Sequence, residues 1–211
     1  MTRTALIAGA TGLVGSNLLD QLLADDHWDT VISVGRRTAD RADPRLEQLI
    51  VPFPEIGDLP ACDDVFSCLG TTIKVAGSQA AFAAVDHDAV VALAAAAHRA
   101  GAERFLHVTA LGASARSRIF YNRVKGETER DVEASGIATT VAFRPSMIDG
   151  ERPDATRPGE TVGLVVMRTL GPVLGRLRPN KASDIAAAMI REAKGTAGGH
   201  RAVDARRIGR S

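Results

Sequence analysis

The sequence predicts a doubly wound, Rossmann-type α/β fold, and three observations predict it. Short apolar runs alternate with segments of helical periodicity, the first apolar run ends in a glycine-rich turn, and 211 residues suit one layered domain. The expected sheet is parallel, of six to seven strands, with helices on both faces and a small C-terminal substrate-side region. A chain this long buries roughly 70% of its unfolded surface, so its core needs neither disulfide nor metal.

Taken in order, the run TALIA over residues 4–8 reads as a buried parallel strand, because it is apolar throughout and ends in glycine. Leu13, Val14, Leu18, Leu19, Leu22 and Leu23 then recur at helical spacing. Further strands are predicted over 30–34, 48–51 and 65–68. An Ala-rich helix is predicted over 78–99, closed by Gly101. A strand over 104–109, a helix over 119–134 ended by Gly136, and a strand over 139–143 stopped by Pro145 follow. The stretch from Gly150 to Pro179 is richer in Pro, Gly and Arg, with one apolar segment, 162–174, read as a helix over a substrate cleft. A last amphipathic helix is predicted over 180–193, and an edge strand over 202–204. The whole is read as a single domain, 1–211, with 150–180 as a small substrate-side insertion.

Composition excludes several classes. With 26 basic and 25 acidic residues the net charge is +1, which offers no nucleic-acid surface and no membrane-binding face. Cys62 and Cys68 stand outside any metal-ligand spacing, as do the five histidines, so no metal site is expected. Two cysteines and an N-terminus that enters a strand at once lead to the expectation of a cytoplasmic protein. The apolar stretch 89–97 reads as too short to span a bilayer.

The turn after the first strand is Gly9-Ala10-Thr11-Gly12-Leu13-Val14-Gly15, a G-x-x-G-x-x-G one residue longer than the usual dinucleotide fingerprint. Gly9 lets the chain turn off the strand, Gly12 lets backbone N–H groups approach a pyrophosphate, and Gly15 lets helix pack on sheet. The helix N-terminus adds partial positive charge and free donors. After the second strand, where an NAD site places an acid for the ribose hydroxyls, stand Gly35-Arg36-Arg37. Two guanidinium forks suit a 2′-phosphate, so the reading is NADP(H).

Tyr121 and Lys125 lie four residues apart at the start of a predicted helix, hence on one face. A phenol titrating near 10 is a poor base at neutral pH. A neighbouring ammonium favours the phenolate, which would ease proton exchange with a carbonyl or alcohol. The hydroxyl to hold the substrate oxygen is assigned to Thr109, with Ser114 and Ser117 as alternatives in the intervening loop.

GATGLVG, FSCLGTT, YNRVKGE and FRPSMIDG together resemble the atypical short-chain dehydrogenase/reductases, in particular the Tat-interacting-protein-type oxidoreductases and their bacterial NAD(P)H-binding relatives. The resemblance implies that Gly9, Thr11, Gly12, Leu13, Val14 and Gly15 hold the pyrophosphate and that Arg36 and Arg37 recognise the phosphate. It implies further that Cys68, Leu69 and Gly70 line the adenosine ribose side. Tyr121 and Lys125 would be the catalytic pair, also touching the cofactor, while Pro145, Ser146, Met147 and Ile148 run past the nicotinamide. Asp86 falls near an asparagine of many relatives and is read as a helix-surface acid. The sequence departs from the family at Pro52-Phe53, where relatives have an acid, at Thr109 in place of the serine, and in the short segment after Gly150.

The function so implied is NADPH-dependent reduction of a small carbonyl compound by a monomer or homodimer, with Tyr121 as proton donor. The alternative is an NADPH-sensing regulatory or interaction protein. A sugar-nucleotide epimerase, suggested by the N-terminal motif alone, would need more enclosing chain.

Overall fold

The computed structural model describes residues 2–53, 55–149 and 179–209. In chain order the strands are β1 (Thr4–Ala8), β2 (Thr30–Gly35), β3 (Leu46–Ile50), β4 (Asp64–Ser67), β5 (Arg104–Val108), β6 (Thr139–Arg144), β7 (Ile148–Asp149), β8 (Asn180–Lys181) and β9 (Gly199–Asp204). The helices are α1 (Leu13–Ala24), α2 (Ile73–Ala76), α3 (Gln79–Arg99), α4 (Phe120–Glu133), α5 (Ala182–Lys194) and α6 (Ala205–Ile208).

Seven strands form one sheet in the order β3-β2-β1-β4-β5-β6-β9, and every pairing in it is parallel. Two-sided burial is why the middles of β1, β2 and β4 are mostly apolar on both faces rather than alternating. Edge strand β3, more exposed, carries Glu47 and Gln48. One face of the sheet is covered by α1 and α5, through Leu18, Leu19, Leu22, Ile185 and Met189. The other is covered by α3 and α4, through Val90, Leu93, Ala94, Ala97 and Val132. The predicted fold class is thus the observed one. Its final strand β9 is longer than the sequence suggests and joins β6 in parallel. Helix α2 was not anticipated; Thr72 caps it by accepting from the Val75 N–H at 3.1 Å.

Helix α3 is interrupted by a π turn, Ala84–Asp88, between the α segments Gln79–Ala83 and Ala89–Arg99. It continues well beyond the apolar stretch 89–97, and by length and mean hydropathy, 1.5, it could cross a bilayer. Phe82, Asp86, Val90, Leu93 and Ala97 are nevertheless buried within the fold, as in a core helix.

The N-terminal ends of the central strands close over a buried charge. Asp64, fully buried, accepts from Arg3 Nε at 2.7 Å, from Arg3 Nη2 at 2.9 Å and from Trp28 Nε1 at 2.8 Å. Trp28 packs edge-on against Phe66, ring centroids 5.8 Å apart. This clasp fixes β1, β4 and the entry to β2 at one end, leaving the carboxyl ends for chemistry. Cys62 and Cys68 are free thiols. The helix predicted over 162–174 and most of the 150–180 insertion lie outside the described residues.

Candidate functional site

The strand order reverses direction between β1 and β4, and in open parallel sheets that is where a crevice forms beyond the carboxyl ends. Gly9 leaves β1 with φ +86°, and the Gly12 N–H donates to its carbonyl at 2.9 Å. A Cβ on Gly9 would stand 2.6 Å from the Cys68 carbonyl oxygen, and one on Gly15 would stand 2.0 Å from the Gly9 carbonyl oxygen. Both glycines are therefore demanded by packing. Gly12 meets only the Gly9 oxygen, at 3.2 Å, and with Thr11 is exposed. Leu13 is partly buried, while Val14 and Gly15 are buried in the first turn of α1. The opening N–H groups of that helix have no acceptor one turn back. An exposed small residue over open donors is a cradle that fits a pyrophosphate.

Arg36 and Arg37 follow β2, both exposed, and neither forms an ion pair among the described residues. Cys68, Leu69 and Gly70 follow β4, the Cys68 N–H donating to the Ala8 carbonyl at 2.8 Å. Burial pushes the Cys68 thiol up to about 12, so it is no nucleophile at neutral pH.

Tyr121 and Lys125 occupy successive turns of α4, and the Tyr121 ring packs against Phe82 of α3, centroids 5.4 Å apart. Lys125 is buried, and its Nζ lies 2.7 Å from Asp86 Oδ1. Asp86 belongs to the π turn. It is not the surface acid expected from the sequence: its exposure is 1%, and its Oδ2 accepts from the Thr71 N–H at 2.8 Å. Thr128 donates to the Asp86 carbonyl, also at 2.8 Å, tying the π turn to α4. π turns recur where a helix must aim one side chain into a site. Gly70 touches the same pair, since a Cβ there would lie 3.4 Å from Asp86 Oδ1 and 3.9 Å from Lys125 Nζ.

Charge around Tyr121 also differs from the sequence reading. Burial raises its pKa above the ordinary 10, and the Asp86 carboxylate raises it too, outweighing the opposing pull of Lys125. Burial works against the charge on Lys125, but the Asp86 carboxylate, helped by Glu129, overcomes it and keeps the ammonium protonated.

Thr109 requires the second correction. It is buried, and its hydroxyl is turned toward Glu129 Oε1, 2.7 Å away, and the Phe143 carbonyl, 3.2 Å away. Glu129 in turn accepts from Arg144 Nε at 2.9 Å and Nη2 at 2.5 Å. In this geometry Thr109 braces β5, α4 and β6 rather than holding a substrate oxygen. Ser114 and Ser117 accept through their hydroxyls from the N–H groups of Arg116 and Ile119, at 3.3 and 3.1 Å. Their own O–H protons remain available to donate. The loop they occupy lies against α4, where a Cβ on Gly126 would fall 2.1 Å from the Ser114 carbonyl carbon.

Pro145 is buried, Ser146 and Met147 are partly so, and Ile148 is 40% exposed. Asn180 Oδ1 accepts from the Ser146 N–H at 3.1 Å, holding this segment beyond β6. Among the described residues no group of His, Cys, Asp and Glu is arranged to hold a metal.

A parallel sheet with a glycine cradle at its reversal point defines a nucleotide-binding Rossmann-type protein. The chain belongs to the NAD(P)H-binding family, which matches it over residues 9–168. It is 32% identical over 194 residues to the mitochondrial protein fmp52 of Emericella nidulans, covering 87% of this chain and 82% of that one. To FMP52 of Eremothecium gossypii it is 38% identical over 153 residues, 70% of this chain and 67% of the other. Both are named as mitochondrial proteins, and this overturns the cytoplasmic expectation. Among solved structures it resembles MoeE5 in complex with UDP-glucuronic acid and NAD, with TM-score 0.71 and 17% identity over 95% of this chain and 75% of that one. It also resembles DesIV, the dTDP-glucose 4,6-dehydratase of Streptomyces venezuelae, with TM-score 0.68 and 19% identity over 95% of this chain and 74% of that one. At these identities the likeness is one of fold.

Proposed function

We propose that this chain is an NADP(H)-dependent oxidoreductase of the atypical short-chain type, close to the Tat-interacting-protein-type enzymes, that reduces a small carbonyl compound. The observation that carries this reading is the position of the Cys68–Gly70 segment. It contacts Gly9 at one end and the Asp86–Lys125 pair at the other, so it joins the phosphate cradle to the Tyr–Lys pair. A dinucleotide with its pyrophosphate over Gly12 would extend along that segment toward Tyr121. A single domain, 1–211, with 150–180 on the substrate side, accords with this placement.

Gly9, Thr11, Gly12, Leu13, Val14 and Gly15 would hold the pyrophosphate, and Arg36 with Arg37 the 2′-phosphate. Cys68, Leu69 and Gly70 would border the ribose, and Pro145, Ser146, Met147 and Ile148 the nicotinamide end. The bound cofactor supplies the hydride. Tyr121 donates the proton to the carbonyl oxygen, so carbonyl, NADPH and one proton give alcohol and NADP⁺. Lys125, paired with Asp86, would orient the ribose. With Thr109 committed to Glu129, the hydroxyl facing the substrate oxygen is assigned to Ser114 or Ser117.

The test is ligand-induced thermal stabilisation with NADPH and NADH, in wild type and an Arg36→Ala, Arg37→Ala double variant. Preferential stabilisation by NADPH that disappears in the double variant is expected. A ligand at a hundred times its Kd stabilises by about 2.7 kcal/mol, well within detection. No shift with either nucleotide would sink the cofactor assignment. NADPH binding that survives Tyr121→Phe with no activity lost would favour the sensing alternative instead.

A further inference from the structure

Asp86, paired with Lys125 one helical turn from the proposed proton donor, has no role of its own in the reading above, on which the following rests. Four groups are assembled from separate parts of the chain. Tyr121 and Lys125 share one face of α4, Asp86 descends from the π turn of α3, and Gly70 borders the last two, with room for no more than a Cβ between. Asp86 and Lys125 are both buried, and among the described residues neither forms a second ion pair. Among the described residues the other charged or titratable neighbours are Glu129 on α4, bound to Arg144 of β6, and His107 on β5, which stays neutral. His87, next in sequence to Asp86, is engaged elsewhere, by Asp88 at 2.8 Å and Asp131 at 2.9 Å.

We propose that Asp86 is a positioning residue: as the fixed counter-ion of Lys125 it opposes the ammonium's field at Tyr121 and helps to keep that side chain a phenol, poised to give a proton. A lysine without a partner would draw the tyrosine toward phenolate and suit it to take a proton from an alcohol. Burial favours the neutral form of Tyr121, and the ion pair at 2.7 Å sets the Asp86 carboxylate against the opposing pull of the Lys125 ammonium. The site is thereby set for the reductive direction. The π turn serves this arrangement by placing Asp86 inward, where the Thr71 N–H and the Thr128 hydroxyl anchor it.

Tyr121 is the only tyrosine in the chain, so phenolate absorbance near 295 nm reports this one group without cofactor or substrate. The full-length protein would be titrated alkaline as wild type, Asp86→Asn and Lys125→Met, with far-UV circular dichroism marking the folded range. The wild-type midpoint is expected above the ordinary 10, Asp86→Asn about a pH unit or more lower than wild type, and Lys125→Met no lower than wild type. A wild-type midpoint at or below 10 would overturn the proposal, and that measurement stands even if Asp86→Asn does not fold. An Asp86→Asn midpoint unchanged from wild type would overturn it as well. The expected titrations in a protein that no nicotinamide nucleotide stabilises would uphold the Asp86 coupling while removing the reductase reading.

Discussion

Gly126 sits in the interior of α4, where replacing glycine by alanine ordinarily stabilises a helix by about 0.5–1 kcal/mol. The packing of this helix reverses that sign. A Cβ on Gly126 would lie 2.1 Å from the Ser114 carbonyl carbon, 2.2 Å from the Ala115 nitrogen and 2.4 Å from the Ser114 Cα. Carbon atoms in contact prefer about 3.5–4.0 Å, so helix and loop must part by more than 1 Å or so. All three obstacles are backbone, and no side-chain rotation relieves them. Overpacking of this kind costs about 1–3 kcal/mol, from which the helix gain is subtracted. The net loss is about 0–2.5 kcal/mol, and with backbone as the obstacle the upper part is expected, lowering the melting temperature by up to roughly 10 °C in a chain of this size. Thermal unfolding of Gly126→Ala by far-UV circular dichroism measures it. Amide exchange at Ser114, whose N–H donates to the Asn122 carbonyl at 3.0 Å, should accelerate in parallel. A variant that melts at or above wild type would show that propensity outweighs the contact and that the loop does not rest on this helix.

Asp64→Ala should be strongly destabilising, by about 3–5 kcal/mol, because it strands Arg3 and the Trp28 Nε1–H inside the fold. Trp28 is the only tryptophan, so its emission should shift as the clasp opens; an unaltered spectrum and melting point would refute the clasp. His107 is buried, and its pKa is pushed down from 6.5 to about 3, by burial first and then by Lys125 and Arg144. The unfolded chain therefore takes up a proton the native state refuses, and stability should fall as pH drops from 6.5 toward 3, by at most about 1.4 kcal/mol per unit. Acid denaturation of wild type against His107→Phe checks this, an unchanged pH slope being the contrary result. His87 has the opposite sign: Asp88 and Asp131 raise its pKa above 6.5 against the effect of burial. Its contribution is complete below 6.5 and lost as pH rises through the raised value, so the melting temperature of wild type, but not of His87→Gln, should decline over that window.

The parts of the fold that were legible in the sequence are those whose physics is local. β1 could be read because a strand buried on both faces must be apolar at every position, and α1 because its leucines keep one face. Gly9 and Gly15 were legible as a motif, and the structure adds that each makes room for a backbone carbonyl. Tyr121 and Lys125 share a face by helical arithmetic alone. Asp86 was not legible, since its partner Lys125 is remote in sequence and nothing in an alanine-rich stretch announces a π turn that rotates one acid inward. The partners of Thr109 are hidden for the same reason: a threonine at a strand end bonds to whatever faces it, and Glu129 comes from a helix later in the chain. The Ser114 loop carried a signal that went unused, because a glycine in the middle of the predicted helix marks a close approach of something else.

The hydrogen bond from the Asn180 N–H to the Met147 carbonyl, 2.7 Å long, brings together the two points where the chain leaves and re-enters the described fold. Asn180 secures them further, accepting from Ser146 with its side-chain oxygen and donating to the Ala205 carbonyl with its amide. The β7–β8 pair completes a socket with two adjacent pins. A socket of this kind tolerates inserts of different length and shape, because what is plugged in need only start and finish side by side. The chain between 149 and 180 therefore starts and finishes at one place on the fold, just beyond the carboxyl end of β6.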